Sequence, residues 1–176
     1  MMTCEPAVEA LNCNNTNGNN LPKLVINGGI PLKGEIEANG AKNAALPIMA
    51  ACILAAGKIK LKRIPDISDV RIMGELLEQM GASVCFEGGG DVVIDTSGLK
   101  ETRAPYKLVR KLNASFDVTG ALAGRFGEAF VPLPGGCVIG TRAIDLHLEG
   151  FKALGCNIGQ EPGGFVAVKA DRLSGG

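Results

Sequence analysis

Residues 42–57 read KNAALPIMAACILAAG and residues 112–127 read LNASFDVTGALAGRFG, and how the two match decides the fold. In the first, Ala44 to Ala56 is apolar on every side, which predicts a helix hidden from water all round. Asn43 is placed to cap its start and Gly57 to stop it, with Pro47 in about the first turn, where proline is tolerated. The second stretch begins the same pattern again. Asn113-Ala114 stands seventy residues after Asn43-Ala44, and Gly127 stands seventy after Gly57. Self-similarity at a fixed spacing marks a repeated unit, so the two helices are expected to be equivalent and equal in length.

Working outward, Lys58 to Ile64 alternates Ile59 and Leu61 with lysines, as a strand with one wet face does. Ser68 is placed to cap an amphipathic helix whose stripe is Val70, Met73, Leu77 and Met80, and Gly81 ends it. Two short strands, Ser83 to Phe86 and Asp91 to Asp95, join through Gly88-Gly89-Gly90. Beyond the first helix the spacing between copies becomes seventy-four: Gly81 matches Gly155, Gly89-Gly90 match Gly163-Gly164, and Val92 and Ile94 match Val166 and Val168. The second stripe transfers to Ile144, His147, Phe151 and Leu154. The four surplus residues fall at Pro134-Gly135-Gly136-Cys137, a glycine-hinged loop ending in a thiol. Loop residues added to a repeated scaffold are where function sits, which makes Cys137 the first candidate for chemistry.

Each unit is thus helix, strand, helix, strand, strand, a βαβαββ-type unit of an α/β fold when a leading strand is counted. The expected organisation is an asparagine-rich disordered tail over 1–21 and leading strands within 22–40 (Lys23 to Asn27, Leu32 to Glu37). A first unit over 41–100 and a second over 101–176 follow. The chain ends at Leu173-Ser174-Gly175-Gly176 with no closing element, so two copies are expected to be an incomplete set.

Composition narrows the partners. Lys+Arg 18 against Asp+Glu 18 leaves no net charge, and a nucleic-acid binder needs a basic excess. The six cysteines lack a CxxC pair and have one histidine to help them, which argues against zinc. Cys52 and Cys156 sit in apolar helical patterns as small hydrophobes, and reduced thiols in a cytoplasmic compartment fit this usage. No apolar run reaches membrane-spanning length, and no signal peptide is expected.

Among groups able to do chemistry, Lys42 precedes the amino end of a helix, where unpaired N–H groups attract a carboxylate or phosphate. Asn43 is either a cap or a ligand contact. Arg142 and Asp145 flank the start of the fourth helix, where the backbone from Ala143 to Leu146 adds N–H donors beside a guanidinium suited to phosphate, a solvated capping charge pair being the alternative. His147, in register with Met73, reads first as a partly buried helix residue and second as a ligand contact. A thiol on a glycine loop serves as nucleophile or proton donor: nearby cations favour the thiolate, and closure into an apolar site favours the thiol.

Two motifs, Gly40-Ala41-Lys42-Asn43-Ala44-Ala45-Leu46-Pro47 and Leu133-Pro134-Gly135-Gly136-Cys137-Val138-Ile139-Gly140 with Arg142 and Asp145-Leu146-His147, resemble the bacterial UDP-N-acetylglucosamine 1-carboxyvinyltransferases from about Lys23 onward. The resemblance implies an inside-out α/β barrel of two domains, each of three similar units, with the active site between them. It implies a cytoplasmic enzyme of peptidoglycan synthesis that moves the enolpyruvyl group of phosphoenolpyruvate to the 3′-hydroxyl of UDP-N-acetylglucosamine. Cofactor and metal are expected to be none, and membrane and nucleic acid are not expected as partners. By resemblance Cys137 is the general acid alkylated by fosfomycin, and Lys42 and Asn43 bind phosphoenolpyruvate. The segment Arg142, Ala143, Ile144, Asp145, Leu146 grips the UDP-sugar. The sequence departs from the pattern at Asn113, where arginine is expected, and Arg110, one turn earlier, is the candidate replacement. A third unit, and a second domain with the acid that deprotonates the sugar, are not in the sequence, so little turnover is expected of the chain alone. Two alternatives stay open: the related shikimate-pathway enolpyruvyl transferase, and an inert, binding-only fragment.

Overall fold

The computed structural model describes residues 29, 31, 33–134 and 143–175, with the backbone of Asn113 but not its side chain. The chain divides after Ile36, and residues 37–175 belong to one compact unit. The helices are α1 (Lys42–Ala51), α2 (Ser68–Gln79), α3 (Tyr106–Val109), α4 (Val118–Phe126) and α5 (Asp145–Ala153). The strands are β1 (Lys58–Leu61), β2 (Ser83–Phe86), β3 (Val92–Asp95), β4 (Glu128–Pro132), β5 (Asn157–Glu161) and β6 (Phe165–Lys169).

The repeat is visible in the pairing. Strands assemble into two three-stranded antiparallel sheets of orders β1-β3-β2 and β4-β6-β5. Asp95 lies opposite both Lys58 and Ser83. Lys169 lies opposite both Glu128 and Asn157, the positions seventy and seventy-four residues on. A one-residue slip would turn every side chain to the other face, so identical register in both copies means identical inside and outside. The opposed charges Lys58 and Asp95 reappear in reverse order as Glu128 and Lys169, which keeps that cross-strand pair complementary in sign.

On α2 the stripe holds: Val70, Met73, Leu76, Leu77 and Met80 are all fully buried. Gly74 lets the helix approach its sheet, since a Cβ there would stand 3.1 Å from the Phe86 ring. Core residues run without a break from Ala45 in the first unit to Ala170 in the second. Arg125 of α4 ties the units together, donating from Nη1 to the Ile53 carbonyl (2.9 Å) and from Nη2 to the Thr96 carbonyl (3.2 Å). Gly127 caps α4 at a φ of 75°, as its place in the repeat suggested. Among the described residues no helix is long and apolar enough to cross a membrane.

Several expectations are corrected. The helix expected to be buried all round starts at Lys42, continues past Ala51 as a 3₁₀ turn (Cys52–Leu54), and is buried on one face only. Ala45, Leu46, Met49 and Ile53 face the core, while Ile48 and Leu54 are 47% and 55% exposed, because α2 and α4 cover a single side. Asn43 is no cap: Ala41 occupies that position without a side-chain bond, and Ser68 is likewise the first residue of α2 rather than its cap. Pro47 lies inside α1, on its exposed side, where solvent can serve the carbonyl its missing N–H leaves free. The equivalent helix of the second unit is split into a 3₁₀ segment (Asn113–Asp117) and α4, and the short α3 before it was not foreseen. β1 stops at Leu61 because Arg63, at a φ of 59°, turns the chain. The leading strand expected at Leu32 to Glu37 is absent among the described residues there, and before α3 only a single parallel bridge, Arg103 to Phe130, stands in for its counterpart. Extended backbone becomes a strand only with a ladder partner, and the described residues offer 33–40 none.

Candidate functional site

Where the two units meet, the amino-terminal ends of α1 and α2 and their second-unit counterparts enclose a cavity of about 310 Å³. Equivalent positions of the repeat line it in pairs: Lys42 and Leu112, Leu46 and Phe116, Asp69 and Ala143. The cavity is therefore built by duplication and then made asymmetric by side chains. The first unit supplies charge at positions where the second supplies hydrocarbon.

Lys42 is the first residue of α1, so its side chain leaves the helix at the end where the first-turn N–H groups are unpaired. Its Nζ donates to Asp69 Oδ2 at 2.8 Å, with the two side chains 49% and 32% exposed. Asp69 lies in the first turn of α2, where a negative charge also favours the helix dipole. On the second unit's wall, Asp117 is half-buried and lines the same cavity. Burial pushes its carboxyl above the ordinary range, and the charge of His147 pulls it partly back. His147 is exposed at the cavity, meeting the Phe116 ring edge-on at 5.7 Å, so it is not the partly buried helix residue first expected.

The structure thus brings together Lys42, Asn43, Ala143 and Ile144 of the sequence-predicted set. Asp145 and Leu146 begin α5 and point elsewhere, Leu146 being 75% exposed and neither lining the cavity. Arg110 does not line it either; its Nη1 donates to Tyr106 Oη at 3.1 Å. Cys137 and Arg142 lie outside the described residues, as does the side chain of Asn113. Sequence reasoning missed Asp69, Phe116 and Asp117. The signal for Asp69 was available in the repeat, since Lys42 and Asp69 are both replaced by apolar residues in the second copy. Among the described residues, no three His, Cys, Asp or Glu side chains gather as a metal site would require. What the arrangement offers is an ammonium group for an anion beside two carboxylates and an imidazole.

Asp117 gives a pH prediction. A carboxyl raised in the folded state contributes stability that is fully present below about pH 4 and is lost as pH rises through its folded value. The charged and titratable groups lining the cavity with it are Lys42, Asp69 and His147. Asp117→Asn keeps the shape and stays neutral, so its stability relative to the native chain is expected to rise as pH increases above about 4 in urea melts. A difference that stays flat with pH would contradict this.

A family model described as EPSP synthase (3-phosphoshikimate 1-carboxyvinyltransferase) matches residues 26–176. Similar chains named UDP-N-acetylglucosamine 1-carboxyvinyltransferase include that of Desulforapulum autotrophicum, 50% identical over 155 residues, covering 88% of this chain and 37% of the relative. Another is that of Acinetobacter guillouiae, 48% identical over 157 residues, with 89% and 37% covered. Among solved structures, the enolpyruvyl transferase NikO from Streptomyces tendae superposes with a TM-score of 0.70 at 24% identity, covering 84% of this chain and 32% of that one. EPSP synthase from Acinetobacter baumannii superposes at 0.57 and 16% identity, with 81% and 33% covered. At those identities the likeness is one of fold. The chain spans about 37% of the length of these curated relatives.

Proposed function

Given that the chain belongs to the EPSP synthase (3-phosphoshikimate 1-carboxyvinyltransferase) family, we propose that it carries part of the site at which enolpyruvyl moves from phosphoenolpyruvate to UDP-N-acetylglucosamine, in peptidoglycan synthesis. The observation that carries the choice of acceptor is the 44–50% identity, over 88% of the chain, to relatives named for that sugar nucleotide. In this reading Lys42 holds the anionic end of phosphoenolpyruvate at the cavity, with Asn43 beside it. The segment Arg142 to Leu146, which includes the cavity-lining Ala143 and Ile144, faces the UDP-sugar. The sugar hydroxyl oxygen bonds to C2 of phosphoenolpyruvate while the Cys137 thiol gives its proton to C3. The hydroxyl proton goes to a carboxylate acting as general base. Return of a C3 proton to the Cys137 thiolate and departure of phosphate from C2 then restore the double bond, now on the sugar. A cytoplasmic location and alkylation of Cys137 by fosfomycin belong to the same proposal.

The family model's own description favours a second reading, in which the acceptor is 3-phosphoshikimate. Ligand-observed NMR with the chain, UDP-N-acetylglucosamine and 3-phosphoshikimate separates them. The proposal expects saturation transfer to the UDP-sugar that excess 3-phosphoshikimate does not reduce; transfer to 3-phosphoshikimate alone would favour the second acceptor.

A further inference from the structure

We propose that Asp69 is a positioning residue that holds the Lys42 ammonium at the cavity for the anionic donor. The inference rests on the reading that Lys42 binds phosphoenolpyruvate, and it starts from three observations. Asp69 Oδ2 accepts from Lys42 Nζ at 2.8 Å, and both residues line the cavity. They come from different helices, α1 and α2, and are 27 residues apart, so the pair is a tertiary device rather than a helix-surface neighbour. The third observation comes from the duplication: the second copy has Leu112 and Ala143 at the equivalent positions, having neither charge.

This last point decides between fold and site. Without the pair, the second unit keeps the same sheet order and the same strand register as the first. The scaffold therefore does not need it. A structural role for Asp69 would rest on the dipole of α2, a local effect that does not require Lys42. A lysine side chain otherwise ranges over many rotamers in solvent, and a carboxylate 2.8 Å away at the cavity wall restricts it to those that reach that wall. Asp69 also repels an incoming anion. Because Asp69 is partly in water, that repulsion is screened, and orientation is the larger effect.

The test is titration of phosphoenolpyruvate against the whole chain and the variants Asp69→Asn, Asp69→Glu, Lys42→Ala and the Lys42→Ala/Asp69→Asn double variant, with thermal melts alongside. Asp69→Asn is expected to bind about fivefold more weakly, the upper end for a half-exposed ion pair, and Asp69→Glu to recover most of that. In the Lys42→Ala background Asp69→Asn is expected to cost nothing further, since there is no ammonium left to orient. Unchanged or tighter binding by Asp69→Asn, or an equal loss in both backgrounds, overturns the proposal, whatever the melts show. Failure of the underlying reading looks different: Lys42→Ala then binds as the native chain does, or the native chain takes up no phosphoenolpyruvate, and both claims fall together.

Discussion

Leu77→Ala is expected to lower the free energy of unfolding by about 2–5 kcal/mol, a large part of the stability of a domain this size. Leu77 is fully buried on α2, and truncation removes its contacts while leaving a cavity that the surrounding core refills incompletely. The same position in the second copy is Phe151 on α5, a helix with no fully buried residue. Phe151 packs on α4, near Gly120, with one side exposed to solvent. Although phenylalanine is the larger side chain, Phe151→Ala is expected to cost about 1–2 kcal/mol, because loss follows buried area rather than size. Urea melts of the two variants check this. Equal costs, or a larger one at Phe151, would mean that α5 is covered to the same depth as α2.

Gly40→Ala is expected to be at least as damaging and to reach the site. A Cβ on Gly40 would stand 1.8 Å from the Arg63 carbonyl oxygen, a backbone atom with no rotamer to move away. Relief requires the segment before α1 or the turn at Arg63 to shift. That turn is already committed, with Arg63 at a φ of 59° and the Ile64 N–H donating to the Gly90 carbonyl at 2.7 Å. The expected loss is about 3 kcal/mol or more, and the displaced segment leads within two residues to Lys42. The variant should therefore melt earlier and bind phosphoenolpyruvate less well at temperatures where it remains folded. Native-like melting of Gly40→Ala would show that the two segments separate easily.

The duplication was legible because it is written in spacing: glycines that must turn and apolar residues that must alternate recur at fixed offsets, and the sheets keep that register. Ser83 to Phe86 and the Val70, Met73, Leu77 stripe could be read from period alone. The exposure of Ile48 and Leu54 could not, since a run apolar on every side does not say which face a neighbour covers. Nor could the missing strand before α1, which depends on a partner that pattern does not reveal. At the site, Lys42 was legible because it opens a helix. Asp69 left a trace in the repeat, where Ala143 replaces it, but its pairing with Lys42, like the placing of Asp117, comes from α1, α2 and the second unit meeting in space. Caps assigned from residue type, Asn43 and Ser68, were misplaced by two positions and one, the ordinary uncertainty of a helix boundary.

The proposed function requires the Cys137 thiol, carried by the second copy of a duplicated scaffold, to act at the cavity that Lys42 lines. Fosfomycin alkylation followed by peptide mass mapping tests it most directly, with and without UDP-N-acetylglucosamine. Exposed Cys85 and buried Cys52 and Cys156 serve as controls within the same chain. The account predicts modification at Cys137, accelerated by the UDP-sugar, with Cys85 indifferent to it. Modification of Cys85 alone, or a rate at Cys137 that the UDP-sugar leaves unchanged, would contradict it.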